Sequence, residues 1–203
     1  MTNNIYIKNL LNLSVKIVAI LLLYQFCRIL FFFYNANYFS NINLFDYLRI
    51  IRGSIRFDIS AVLYINSIVI VLTLIPSKLI IKKWYQNIIY YIFIYCNLLG
   101  ILTNIMDVFY YPFSKRRLTI SFLKEFSNEE NLLSMLLEFC KDYWSVIPLI
   151  FIAFYILKYI ANKTTLNEKE IIYSKLTILS SSLISILCLT LVVFGLRGSF
   201  IFK

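Results

Sequence analysis

Apolar residues run along this chain in long continuous stretches, and the polar residues gather between them. A bilayer core about 30 Å thick takes roughly 20 mostly apolar residues per helix. Five stretches meet that requirement, at about 13–34, 55–75, 85–106, 143–160 and 176–196. Strands are poor candidates for these spans, because the runs do not alternate and an open sheet edge cannot satisfy its backbone in lipid. The pattern therefore predicts an all-α integral membrane protein, with residues 1–203 forming a single transmembrane domain of five helices.

The first stretch follows Lys8 and Lys16, as a secretory signal would, but it is too long and no small-residue cleavage pattern follows it. It is read as a permanent span with its amino terminus in the cytoplasm, which places the carboxyl terminus outside. The inner connectors, about 76–84 and 161–175, are then short and Lys-rich. Two longer segments fall outside, at about 35–54 and 107–142. In the first, LFDYLRIIRGSIRF puts Leu44, Tyr47, Leu48 and Ile51 on one helical face and Arg49, Arg52 and Arg56 on another, the pattern of an interfacial amphipathic helix. In the second, Leu132, Leu133, Leu136 and Leu137 recur at helical spacing after Ser127, which with Glu130 makes a capping box. Two short amphipathic helices resting on the outer membrane surface are expected.

Composition sharpens this picture. Hydrophobic residues make up 61% of the 203 and charged ones only 15%, too little polar surface to cover a soluble core. No His occurs, which removes imidazole from any nucleophile triad or zinc site. The four Cys, at 27, 96, 140 and 188, have no CxxC spacing and read as packing residues. A net charge of +10 without a nucleic-acid-binding signature points to anionic lipid headgroups as partner rather than to nucleic acid. Counting Lys and Arg does not settle the orientation, with nine on the inner side and eleven on the outer. Residue type is more telling: all seven Arg, at 28, 49, 52, 56, 116, 117 and 197, fall outside. Arg carries a planar fork suited to phosphate and carboxylate.

Charges in or beside a span need a reason to be there. Tyr24, Gln25 and Arg28 share one face near the outer end of the first span, where Arg28 either snorkels or meets another helix or a bound headgroup. Arg56 and Asp58, taken to open the second span, are expected to bond each other and the free backbone donors of a helix start. Asp107 ends the predicted third span ahead of Lys115, Arg116 and Arg117, and Arg197 with Gly198 closes the fifth. Arg28, Arg52, Arg56, Asp58, Asp107, Arg116, Arg117 and Arg197 are thus the lipid-headgroup or interdomain candidates around one outer mouth. No catalytic or metal site is read in this chain. It lacks a His base, an acid cluster with metal-ligand spacing and a Gly-rich phosphate loop, and Glu129 and Glu130 lie in a solvated helix start.

The order of short motifs resembles a known pattern. GSIRFDISAVLYIN opens the second span, TNIMDVFYYPFSKRRLTISFLKEF leaves the third, an outer helix ends in DYW, and FGLRGSF leaves the fifth. The set resembles the amino-terminal membrane domain of the lipoteichoic acid synthase-like, sulfatase-fold phosphoglycerol transferases of bacteria, particularly the Bacteroidetes type. The resemblance implies a multi-pass anchor in the bacterial cytoplasmic membrane, followed in such proteins by an extracytoplasmic catalytic domain that holds a divalent metal and a Thr or Ser nucleophile. The chain ends at Lys203, where the linker to that domain is expected. It is accordingly expected to be a truncated product, a split-gene half or a fragment: an anchor that presents lipid and carries no cofactor or catalysis of its own. On the same resemblance Arg56, Asp58, Asp107, Arg117 and Arg197 sit beneath the catalytic domain and help present the lipid substrate. The anchor of a phosphoethanolamine transferase fits the same outline. From another class, a small transporter needs polar residues through mid-membrane, where Asn66, Asn97 and Asn104 are explained by hydrogen bonds between helices. A scaffold that recruits a partner through the 107–142 loop is the remaining alternative.

Overall fold

The computed structural model describes residues 5–39, 43–75, 79, 82–116, 141, 144–165 and 190. The regular elements among the described residues are all helical: α1 (Ile5–Tyr34), α2 (Leu44–Ile65), α3 (Ser67–Leu74), α4 (Lys83–Ser114) and α5 (Val146–Lys163), with a 3₁₀ turn at Ala36–Tyr38 between α1 and α2. Three stretches, Lys8–Tyr34, Lys83–Pro112 and Val146–Lys163, are long and apolar enough to cross a membrane, and α2 with α3 make a fourth if that bent pair is one span. The fifth predicted span, apart from Thr190, and the 132–137 stretch of the second interfacial helix lie outside the described residues.

Helix α1 shows how the sequence chooses its faces. Leu13, Ile20, Tyr24, Cys27 and Phe31 recur every three or four residues and are buried, while Leu11, Val15, Val18, Leu22, Phe26, Ile29 and Phe33 recur on the opposite side and are exposed. Both faces are apolar, so hydrophobicity alone does not separate them. The inward face also carries Asn9 and Lys16, both buried. α4 lies at the centre, packed on α1 and on α5. It runs parallel to α1, since Lys16 meets Phe93 low in the pair and Asn35 meets Val108 at the top. α2 and α3 run antiparallel to α1, with Asp58 beside Arg28 and Thr73 beside Asn9.

Two boundaries depart from the sequence pattern. The lipid-lying helix expected before the second span is not a separate element: α2 continues unbroken from Leu44 through Gly53 to Ile65. A helical Gly costs only about 1 kcal/mol relative to Ala, and no atom lies within 4 Å of where a Cβ on Gly53 would be, so nothing there ends the helix. The break comes instead at Asn66, where α2 and α3 meet at 61°. Asn66 Nδ2 bonds the Val62 carbonyl at 2.9 Å, and the Asn66 and Asn97 amides bond each other reciprocally at 2.9 and 2.7 Å. Asn97 Nδ2 also donates to the Phe93 carbonyl at 2.7 Å. The bend thus leaves neither buried amide unsatisfied, the condition for interrupting a helix away from water. Asn104, by contrast, bonds the Gly100 carbonyl of its own helix at 2.8 Å.

α4 likewise runs past the predicted end at 106, through Asp107 and Pro112 to Ser114. Pro112 has no N–H for the carbonyl four residues back, which belongs to Val108. Asn35 Nδ2 reaches that carbonyl at 3.0 Å from the end of α1. Lys115 then ends α4 in the left-handed region, φ 54°, with its N–H on the Tyr111 carbonyl and its ammonium 3.3 Å from the centroid of the Tyr38 ring. α5 begins three residues later than the predicted 143, and Pro148 sits in its first turn, where a missing N–H costs nothing.

Candidate functional site

The polar groups that stand out lie where α1, α2 and α4 meet at the Asn35 end. Arg28 Nη2 is 2.6 Å from Asp58 Oδ1, and Gln25 Nε2 donates to Asp58 Oδ2 at 2.6 Å. Both partners of the ion pair are largely withdrawn from solvent, with 16% of the Arg28 side chain and 10% of the Asp58 side chain exposed. Of the roles open to Arg28, contact with another helix is the one observed. The expected Arg56–Asp58 pairing is not: Asp58 lies deep within α2 rather than at its start, and residues two apart on a helix point in nearly opposite directions. Asp58 turns inward with Tyr47, Ile51 and Ser54, while Arg56 is exposed.

The Tyr24 hydroxyl, Arg28 Nε, Asn35 Oδ1 and the Tyr47 hydroxyl are buried without a hydrogen-bond partner among the described residues. Tyr24 lies within electrostatic reach of Asp58. Its hydroxyl rests against Gly100, where an added Cβ would collide with it and with the Ile65 side chain. Glycine at position 100 is therefore what admits Tyr24 to the α1–α4 seam. Tyr47 packs on Phe32 with ring centroids 4.1 Å apart and lies within electrostatic reach of the Arg28 guanidinium. Phe32 follows Arg28 by one helical turn, so α1 alone places the ring that carries Tyr47 next to Arg28. Phe39 extends the same aromatic packing, stacking on Phe32 and on Tyr111.

A second cationic feature faces away from the bundle. Arg49, Arg52 and Arg56, spaced by three and four, form an exposed stripe along the first half of α2. Arg49 makes only a loose 3.9 Å approach to Asp46. Phe45, Leu48, Ile55 and Phe57 are exposed around the stripe, Phe45 to 83% and Phe57 to 78%. Cations mixed with exposed aromatic and aliphatic side chains suit an interface between headgroups and acyl chains.

The remaining candidates are less gathered. Asp107 is half-buried within α4, not at its end, and Arg116 is exposed just beyond it. Arg117 and Arg197 lie outside the described residues. Among the described residues, no group of three or more His, Cys, Asp or Glu side chains could hold a metal ion. Lys16 is buried on the packed face of α1 with its ammonium 5.4 Å from the centroid of the Phe93 ring. Position on the inward 9–13–16–20 stripe is the signal that could have placed it there.

No protein-family model, curated protein or solved structure matches this chain. Its function is read from its own residues.

Proposed function

We propose that the chain is a membrane anchor that presents an anionic lipid headgroup on its extracytoplasmic side and performs no chemistry by itself. The α2 stripe carries this reading: Arg49, Arg52 and Arg56 exposed on one face among exposed Phe45, Leu48, Ile55 and Phe57. A soluble protein would not display so apolar a surface, and a surface that meets only acyl chains would not carry three guanidinium groups. Each Arg held near an anionic surface contributes about 1 kcal/mol of attraction. With the motif resemblance, the anchored activity is a sulfatase-fold phospho-group transferase of the bacterial cell envelope, using a lipid-borne phosphoglycerol or a related group. The amide pair of Asn66 and Asn97 favours an anchor over a transporter, because the polar groups a pathway would need in mid-bundle are engaged with each other and with their own helices.

The test is to extract the full chain into native nanodiscs from membranes of mixed phosphatidylglycerol and phosphatidylcholine and measure the lipid retained. Enrichment of phosphatidylglycerol is expected, and it should fall in the triple variant Arg49→Gln, Arg52→Gln, Arg56→Gln. Equal retention of the two lipids by the unaltered chain would overturn the reading.

A further inference from the structure

Above α4, between α1 and α5, the described residues leave a crevice of about 90 Å³. Ile105, Val108 and Phe109 of α4 are its buried floor, Cys27 and Leu30 of α1 form one wall, and Leu149 of α5 flanks the other. Tyr34 stands at the mouth, half exposed, with its ring edge-on to Phe109 at 4.9 Å. From Tyr34 to Cys27 is seven residues, about 10 Å down the axis of α1. The mouth coincides with the end of the apolar stretch Lys8–Tyr34, and the crevice descends from there into that stretch. All three of its walls belong to helices apolar and long enough to cross a membrane.

The dimensions and chemistry of this space select what fills it. The lining side chains bring one hydroxyl, on Tyr34, and one thiol, on Cys27, whereas a buried water needs two to four polar partners. The volume is about three times the share of one water molecule in the liquid, so a helix, 10–12 Å across, does not enter. Left empty, the crevice would deprive Ile105 and Val108 of contacts on one side. A narrow hydrocarbon restores those contacts and needs no hydrogen bonds. The space is also continuous with the exposed apolar face of α1, where Phe26, Ile29 and Phe33 meet the same surroundings. We infer that the crevice seats the upper part of one lipid acyl chain, inserted past Tyr34 from the leaflet at the Asn35 end. The inference rests on the reading of these helices as membrane spans, and it gives the lipid-presenting reading a place for the hydrocarbon, where the α2 stripe addresses the headgroup.

The full chain is reconstituted in phosphatidylcholine liposomes that contain a little of the same lipid with a photoreactive diazirine on the carboxyl-proximal half of its acyl chain. After irradiation and digestion, mass spectrometry locates the adducts. Labelling of Ile105 and Val108 is expected, together with labelling of exposed Phe26. Ile105 is 4% and Val108 5% exposed, so a chain that only passes over the surface does not reach them. Leu30→Phe with Leu149→Phe fills the crevice from its rim and should cut the labelling of Ile105 and Val108 several-fold while Phe26 is labelled as before; thermal melting checks that this variant folds, and the labelling of the unaltered chain is decisive without it. Labelled Phe26 with unlabelled Ile105 and Val108 would overturn the inference. So would Leu149→photo-leucine cross-linking to a peptide of this chain or of a second copy rather than to lipid. Because the probe carries a phosphatidylcholine headgroup, labelling at the floor without any enrichment of phosphatidylglycerol leaves the crevice standing and sinks the lipid-presenting reading, and enrichment without labelling does the reverse.

Discussion

Asn35 supplies the hydrogen bond that Pro112 cannot. The Val108 carbonyl, one turn below Pro112 in α4, receives Asn35 Nδ2 at 3.0 Å from the end of α1, and the same nitrogen donates to the Phe31 carbonyl of its own helix at 3.0 Å. One buried amide thereby closes α1 and repairs α4, and it pins the two parallel helices at a single height. Replacing Asn35 with Ala should cost about 1–3 kcal/mol through the unsatisfied carbonyls. In a Pro112→Ala background, where residue 112 regains its N–H, the same replacement should cost measurably less. A double-mutant cycle of thermal unfolding in detergent checks this, and strictly additive losses would show that the two residues are not linked.

The Arg28–Asp58 pair should behave as a desolvated unit. Removing one partner, as in Asp58→Leu, strands a largely buried guanidinium and should destabilise by roughly 3–5 kcal/mol, whereas Arg28→Leu with Asp58→Leu should recover much of that loss. Arg56→Gln, at an exposed position the sequence had paired with Asp58, should change stability by less than about 0.5 kcal/mol. Equal effects for Arg28 and Arg56 would contradict the observed pairing.

Gly100→Ala should disturb the α1–α4 seam, because its Cβ meets the Tyr24 hydroxyl and the Ile65 methyl. Overpacking of this kind costs typically about 1–3 kcal/mol. Tyr24→Phe removes the nearest obstacle, so Gly100→Ala should be milder in that background. Unchanged melting of Gly100→Ala by itself would mean that the seam is looser than this packing implies.

The reciprocal amides at the α2–α3 break should be coupled. Interhelical polar pairs in membranes average about 0.6 kcal/mol and reach about 1.7 kcal/mol, so a double-mutant cycle of Asn66→Leu and Asn97→Leu should return a coupling near that range. Spin labels at exposed Phe45 and Leu99 should report a broader distance distribution in Asn97→Leu, since α2 then loses its brace at the bend. A distribution as narrow as that of the unaltered protein would show that the 61° angle is held elsewhere.

What could be read from the sequence is what depends on neighbours along the chain. The 3–4 spacing of Tyr24, Gln25 and Arg28 does place them on the side of α1 that meets α2 and α4, and Arg49, Arg52 and Arg56 do share an exposed face. Apolar runs located helices at four of the five predicted stretches, to within several residues for most ends. What escaped was whatever depends on another helix. Spacing along the chain matches Asp58 to the nearest cation, Arg56, whereas the partner it has is 30 residues away. The apolar pattern ends α4 before Pro112, whereas the amide that compensates the proline belongs to α1. The break fell on Asn66, which no Gly or Pro announces and which depends on Asn97 being in register. Arg117 and Arg197 belong to segments outside the described residues.

The position of Lys16 bears on how the helices come together. It lies eight residues inside the apolar stretch that begins at Lys8, about 12 Å along the helix axis, with its charge turned to Phe93 of α4. A lysine at such depth in a lone helix meets an insertion cost that reaches about 2.5–3.5 kcal/mol at the centre, and it relieves that cost by shifting towards the interface. Alone, α1 would therefore settle at a different depth and rotation from those it has in the bundle, where Asn9 and Arg28 tie it to α3 and α2 and Phe93 of α4 faces Lys16. The seat of the first helix is thus set jointly by helices made after it, with α4 bringing the ring that Lys16 faces.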